Sequence, residues 1–297
     1  MSQTQHHENP PVWTTRGLLT WTTKYFDKNG LDNPRLAAEM LLAHVIGVQR
    51  LQLYTDRDRP AHDLERAMFR NLVERAAAHE PVDYLVGYAP FFSLQLKVDA
   101  TVLIPRPSTE TLVEHVIQHA RRSPEFHAPV VADIGTGSGA IAVALARHVP
   151  NCRVVATDVS PDALKVAAAN ADALDVADRI EFRAGDLFAP LKTEKFRYVI
   201  SNPPYISEDE WSRVPANVRE YEPPLALRGG LDGLQFVRPL IKSARDHLEH
   251  PGQLVIEIAD SQKMAALQLA DNATGLANPH VIADHEGLPR TLIANSV

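Results

Sequence analysis

Apolar residues recur at helical spacing over roughly the first 80 positions, then alternate briefly, then settle into a strand–helix rhythm. In "TTRGLLTWTTKYFDKNG" the face is Leu18, Leu19, Trp21, Thr22, Tyr25 and Phe26, with Thr14 or Thr15 as cap and Gly30 as stop. In "NPRLAAEMLLAHVIGV" Asn33 is the expected cap and Pro34 the first-turn residue; Leu36, Met40, Leu41 and Val45 form the face, and Gly47 terminates it. A third helix opens at Asp63, sets Leu64, Met68 and Leu72 on one side, and ends before Pro81. These segments predict a small helical bundle over 1–83, which needs a neighbour or partner to complete its cover.

From Tyr84 the period shortens. "FFSLQLKVDATVLIPRP" alternates, with Leu94, Leu96 and Val98 facing one way, and predicts a β-hairpin and linker over 84–107 that ends in the stiff pair Pro105 and Pro107. Helices are then expected at 109–122, 140–148, 161–174 and 236–248. Strands are expected at 130–133, 153–158, 180–184, into Asn202, and in "QLVIEIA". This alternation over 108–297 is that of an α/β domain with a doubly wound, parallel sheet.

Composition narrows the class. With 297 residues, 45% hydrophobic and 23% charged, the chain reads as an ordinary globular protein. A net charge of −7 argues against broad nucleic-acid binding. The single cysteine, Cys152, excludes an intramolecular disulfide framework, fits a reducing cytosol and shows no sign of activation. "MSQTQHHENPPVW" lacks an apolar signal core, and no apolar run approaches the ~18–20 residues of a membrane span. A cytoplasmic, soluble protein without membrane attachment is expected. No metal site is expected: His6 and His7 sit in the polar tail, and His115 and His119, at helix spacing but with no third ligand, predict a solvated face.

Candidate chemistry begins in "VVADIGTGSGAIAVALA". Gly135, Gly137 and Gly139, with Thr136 and Ser138 between them, follow a strand and open a helix, as a loop beneath a nucleoside requires. Asp158 ends the next strand, nineteen residues after Gly139, where a carboxylate accepts ribose hydroxyls; Ser160 and Pro161 start the following helix. Asp186, with Leu187 and Phe188 beside it, ends the third strand and suits an adenine ring. Singly, each of these is a glycine-rich turn or a capping carboxylate. Three strand ends in this order converge on one crevice and favour a bound nucleoside. Asp133 decides between cofactors: it repels a pyrophosphate and attracts the cationic amino-acid end of S-adenosylmethionine.

The strand "VIS" then breaks at Asn202-Pro203-Pro204-Tyr205. A planar amine or amide nitrogen is a poor nucleophile. If the Asn202 side-chain oxygen and the Pro203 carbonyl each accept one of its N–H groups, its lone-pair face is held towards a methyl donor, and both acceptors strengthen as positive charge grows on nitrogen. Tyr205 stacks on the planar group. The bland alternative is a proline-terminated strand and turn, and it weakens after the glycine loop, Asp158 and Asp186 in that order.

"DIGTGSG", Asp158, "GDLF" and "NPPYI" resemble the Rossmann-like class I methyltransferases that modify planar nitrogens. "FFSLQLKVDATVLIPRPSTETLVE", "YEPPLALRGGLDGL" and "DHEGLPRTLIA" resemble, more narrowly, the HemK family of release-factor glutamine methyltransferases, over nearly the whole chain. The resemblance implies a seven-stranded, mostly parallel sheet, a helical domain that docks the protein substrate, and methylation of the glutamine amide in the Gly-Gly-Gln motif of peptide-chain release factors. It also implies that Gly135 to Gly139, Asp158 and Leu187 contact S-adenosylmethionine, that Asn202 to Tyr205 hold the glutamine, and that Arg106, Pro107 and Glu110 shape the wall. Phe91 and Phe92 stand where the family often has Phe-Trp, and "IEIADSQ" departs from its Glu-x-Gly ending, away from the site. Rival readings are a glutamine methyltransferase acting on a ribosomal protein, whose connector usually reads Pro-Arg-Ser-Pro, an adenine-amine methyltransferase, and a non-catalytic assembly factor. Glu220 and Glu222 border either a substrate entrance or a surface turn. "RGGLDG" reads as a loop, and Trp13, Trp21 and Trp211 as packing or docking residues.

Overall fold

A computed structural model describes residues 13–297; His6 and His7 lie outside them. The chain divides into two compact units, one ending at Val86 and one beginning at Gly87.

The first unit is helical: α1 Thr15–Lys28, α2 Pro34–Ile46, α3 Gln52–Thr55, α4 Asp63–Ala77 and α5 Val82–Val86. The Thr14 hydroxyl accepts from the Gly17 amide and caps α1. Asn33 precedes α2 but does not cap it with its side chain. It sits at φ 49°, and its backbone carbonyl takes the Ala37 amide instead. The face expected of α4 is turned. Phe69, Val73 and Ala76 are buried, whereas Leu64 is 72% and Met68 49% exposed, because the side that carries Phe69 takes the core. Trp21 stacks on Tyr25 and meets Trp13 edge-on. α5 occupies 82–86, where the hairpin was expected to begin.

In the second unit β1 Tyr88–Phe91 and β2 Leu94–Lys97 form that hairpin through the two-residue turn Phe92-Ser93, both residues at positive φ as a type I′ turn demands. Glu110 accepts the Phe92 amide at 2.7 Å, so this carboxylate braces the turn. The remaining elements are α6 Pro107–Arg122, β3 Val130–Ile134, α7 Ala140–His148, β4 Arg153–Asp158, α8 Pro161–Ala173, β5 Ile180–Ala184, β6 Phe196–Ser201, α9 Glu208–Trp211, α10 Ala216–Tyr221, α11 Val237–His247, β7 Leu248–Glu257, α12 Lys263–Asp271, β8 Leu276–Ala283 and β9 Pro289–Ser296. Pro107 is the first residue of α6 rather than the end of a linker; its missing N–H costs nothing there.

The sheet order is β5-β4-β3-β6-β7-β9-β8, parallel except for β9, which runs antiparallel to both neighbours. The seven-stranded, mostly parallel architecture is therefore present. α6 and α7 cover one face with Val131, Val154 and Ile200; α11 and α12 cover the other with Ile134, Val199 and Ile256. Residues 140–146 of α7 are all buried, which explains why that helix is built largely of alanine. The His115–His119 face is packed, not solvated. His115 Nε2 meets Gln253 Oε1 at 3.1 Å, His119 Nδ1 meets the Tyr198 hydroxyl at 2.7 Å, and burial lowers both imidazole pKa values. Cys152 is buried and its thiol is pushed up to about 12, so it is inert. Among the described residues no group of three or more His, Cys, Asp or Glu side chains is placed to hold a metal ion, and no helix is long and apolar enough to cross a membrane.

Candidate functional site

Register brings the chemistry to one level. Ile134 pairs with Thr157 and with Ser201, and Ser201 pairs with Ile256. The next residue on each strand is Gly135, Asp158, Asn202 and Glu257. The Ser201 hydroxyl donates to the Ile134 carbonyl at 2.7 Å and ties the two central strand ends together. Beyond them lies a cavity of about 200 Å³, whose wall includes Gly135, Thr136, Gly137, Ser138, Asp158, Asp186, Leu187, Asn202, Pro203 and Pro204.

The glycine loop is held by backbone bonds. The Gly135 and Thr136 amides both donate to the Thr157 carbonyl, and the Gly139 amide to the Thr136 carbonyl. Asp158 accepts from the Gly137 amide at 2.9 Å and the Ser160 amide at 2.8 Å; burial raises its pKa, and these amides oppose the rise. A Cβ on Gly135 or Gly137 would meet no protein atom within 4 Å and would project into open space. Bare main chain facing a cavity beside a carboxylate fits the expected S-adenosylmethionine. Gly139 is off the wall; a Cβ there would press on Ala167 of α8, so it permits the close helix approach.

Two further expected contacts are placed elsewhere. Asp133 is fully buried and absent from the wall: strand alternation turns it beneath the loop, where it accepts from the Thr136 hydroxyl at 2.6 Å. Desolvation pushes its carboxyl up to about 7, so it braces the loop rather than offering the cofactor a firm negative charge. Phe188 stacks on His247 in the core and leaves the wall to Leu187.

Asn202 stands between two cavities. Pro203 and Pro204 line the first with it, while Tyr205 turns to a second, of about 240 Å³, bordered also by Leu103, Arg106, Val214 and Leu227. Burial pushes the Tyr205 phenol up to about 12, so it stays protonated. The Asn202 Nδ2 donates to Thr109 Oγ1 at 2.9 Å.

Several supports escaped the sequence reading. Asn170 on α8 donates to the Ser138 and Lys97 carbonyls and accepts from the Lys97 amide, tying the loop to the hairpin. Glu222 is buried, not a surface turn; it pairs with Arg106 at 2.5 Å and accepts the Ile104 amide, joining "IPRP" to "YEPP". Pro105, Thr109, Leu225 and Phe236 also lie on the first wall. "RGGLDG" is a loop, but it buttresses the motif: a Cβ on Gly233 would lie 2.3 Å from the Tyr205 carbonyl oxygen and 2.2 Å from Gln262 Nε2, which itself donates to that oxygen. The spacing of glycines three and four apart was the available signal. Gly233, at φ 76°, tolerates neither a clash nor the strain. Gly233→Ala is expected to cost about 2–3 kcal/mol and lower Tm by roughly 5–10 °C; a calorimetric melt within 1 °C of wild type would show that the approach is not close. Trp211 packs under the Arg228 guanidinium at 5.0 Å.

Residues 17–87 match the family described as the PrmC N-terminal domain, and 107–217 match the Methyltransferase small domain. The chain is 42% identical to the release factor glutamine methyltransferase of Rhodopirellula baltica over 96% of its own length and 97% of the relative's. It is 39% identical to that of Geobacter sulfurreducens, over 96% and 98%. Among solved structures, the catalytic domain of hMettl16, in complex with MAT2A 3′UTR hairpin 6, superposes with a TM-score of 0.53 over 69% of this chain and 76% of that one; at 16% identity the likeness speaks for the fold.

Proposed function

The chain belongs to the release factor glutamine methyltransferase family, and from that premise we propose that Asn202 and the Pro203 carbonyl clamp the acceptor glutamine of the Gly-Gly-Gln motif at the junction of the two cavities. It is an S-adenosylmethionine-dependent protein-glutamine N-methyltransferase. The observation that carries the clamp is the placement of Asn202 on both walls, with Nδ2 committed to Thr109 and Oδ1 left for an incoming N–H.

S-adenosylmethionine, when bound, supplies an electrophilic methyl group on a sulfonium leaving group. Gly135, Thr136, Gly137 and Ser138 would hold its amino-acid end, Asp158 would accept from its ribose, and Asp186 and Leu187 would border its adenine. Asn202 Oδ1 and the Pro203 carbonyl hold the two amide protons of the acceptor, which turns its lone-pair face to the methyl group. As the N–CH₃ bond forms and the S–CH₃ bond breaks, leaving a neutral thioether, nitrogen gains positive charge and both acceptors hold it more tightly; one of its two protons then passes to water and leaves the neutral N-methylamide. Alignment supplies much of the remainder, up to roughly 7–11 kcal/mol in ordered systems. Tyr205, neutral in the second cavity, packs against the planar amide and fixes its tilt. The net charge of −7 suits a protein acceptor better than nucleic acid, and the buried, unreactive thiol suits the cytoplasm.

The exposed Leu64 and Met68 support a docking role for the helical unit. A Leu64→Glu, Met68→Glu double variant is expected to raise KM for intact release factor about tenfold, the scale of losing ~1.4 kcal/mol of contact, and to leave KM for a short Gly-Gly-Gln peptide unchanged. Equal effects on both substrates would remove docking from this face. The function itself is tested by incubation with labelled S-adenosylmethionine and release factor, ribosomal protein or DNA, followed by mapping of the modified atom. Label on the glutamine amide nitrogen of the release factor is expected; label only on either other acceptor would overturn the reading.

A further inference from the structure

The two ends of an asparagine amide have nearly the same shape and opposite hydrogen-bonding character. A clamp for acceptor N–H groups works only with Oδ1 outward, so something must fix the flip. The Thr109 hydroxyl carries one proton, and Glu257 Oε2 takes it at 2.6 Å. Thr109 is then left with lone pairs alone towards Asn202 and bonds only its Nδ2, at 2.9 Å. Glu257 has no freedom to let go: its other oxygen accepts the Ser108 hydroxyl at 2.9 Å, and the side chain is fully buried. Both hydroxyls sit in the first turn of α6, and Glu257 ends β7 on the level where Asn202 leaves β6. Burial raises the Glu257 pKa, while the two hydroxyls and the charges of Arg290 and Arg106 work against that rise.

We propose that Thr109, backed by Glu257, is a positioning residue that dictates which end of the Asn202 amide faces the acceptor. The proposal rests on the reading of Asn202 as the clamp. A Thr109 hydroxyl free to donate would satisfy Oδ1 and turn Nδ2 outward, donor against donor. Glu257 therefore belongs to the working site although it touches neither cavity.

The test uses the full-length enzyme and four readouts: kcat on release factor, S-adenosylmethionine affinity by calorimetry, Tm, and the NMR signals of the Asn202 side-chain amide. Thr109→Val is expected to lower kcat roughly tenfold to thirtyfold, a fraction of the hundredfold that a misplaced reacting group costs, with cofactor affinity kept. The Asn202 amide proton bonded to Thr109 should shift upfield. Thr109→Ser should restore both the rate and the signal. The Asn202→Ala, Thr109→Val double variant should be no slower than Asn202→Ala alone, since the second change acts only through the first residue. Glu257→Leu, which leaves the Thr109 proton without its acceptor and free to turn to Asn202 Oδ1, tests the same point if the valine variant melts early. Wild-type kcat in Thr109→Val and Glu257→Leu beside a slow Asn202→Ala would overturn the positioning role and leave the clamp standing. Wild-type kcat in Asn202→Ala would remove the clamp itself, and the proposal with it.

Discussion

Asn202→Ala is expected to lower kcat for release-factor methylation by about two to three powers of ten, the cost of losing a preorganised partner of transition-state charge. S-adenosylmethionine should still bind, with affinity within about fivefold, because Asn202 gives that ligand no more than one neutral hydrogen bond of ~1 kcal/mol. The split is diagnostic. An acceptor clamp matters most when nitrogen becomes cationic, so its loss falls on kcat, whereas a wall residue would change KM and kcat/KM together. Because Pro203 and Pro204 end the strand and Ser201 is bonded to Ile134, truncation at Asn202 leaves the surrounding backbone anchored. Single-turnover kinetics with labelled cofactor would measure the effect, and a rate within threefold of wild type would dismiss the clamp.

Asp158→Ala is expected to weaken S-adenosylmethionine binding about a hundredfold or more, with little change in kcat at saturation. Hydrogen bonds to an ionised group contribute about 1.5–3 kcal/mol each, and in the proposed binding mode two ribose hydroxyls would share this carboxylate. The same side chain holds the Gly137 and Ser160 amides, so its removal also loosens the loop proposed to carry the cofactor. Calorimetric titration is the direct check; unchanged affinity would take Asp158 out of the site.

Much of this was legible beforehand where the local signal and the tertiary demand agree. β4 and β5 fall on the expected residues because each is a short segment set off by the helix before it and the turn residues after it. Gly135 to Ser138 of the glycine loop, Asp158, Asp186, Leu187 and Asn202 all reach one cavity, while Gly139 does not. The misplacements have a common cause: chemistry read from a residue's type ignores where alternation sends its side chain. Asp133 is acidic beside the loop, yet the strand turns it under the loop. Leu64 and Met68 are apolar, yet Phe69 and Val73 take the interior. "IEIADSQ" reads in the sequence as a change at a turn. Ala259 does fit there, at φ −69°, so no glycine is needed, but Glu257 two residues earlier reaches Thr109. Contacts such as Glu222–Arg106 or Asn170–Lys97 join positions far apart in the chain, and no local pattern announces them.

The shared level at which β3, β4, β6 and β7 end has a consequence of a different kind. Neighbouring strands lie about 4.8 Å apart, and residues advance about 3.3 Å along each. On the proposed assignment, with the donor over β3 and β4 and the acceptor at Asn202, the separation between them would be counted out in rungs of one hydrogen-bonded ladder, as on a ruler, and the lengths of the loops beyond it would not enter the sum. Insertions in those loops alter who is admitted without resetting the gap across which the methyl group must pass, whereas a slip of one rung between β3 and β6 would misalign the instrument altogether.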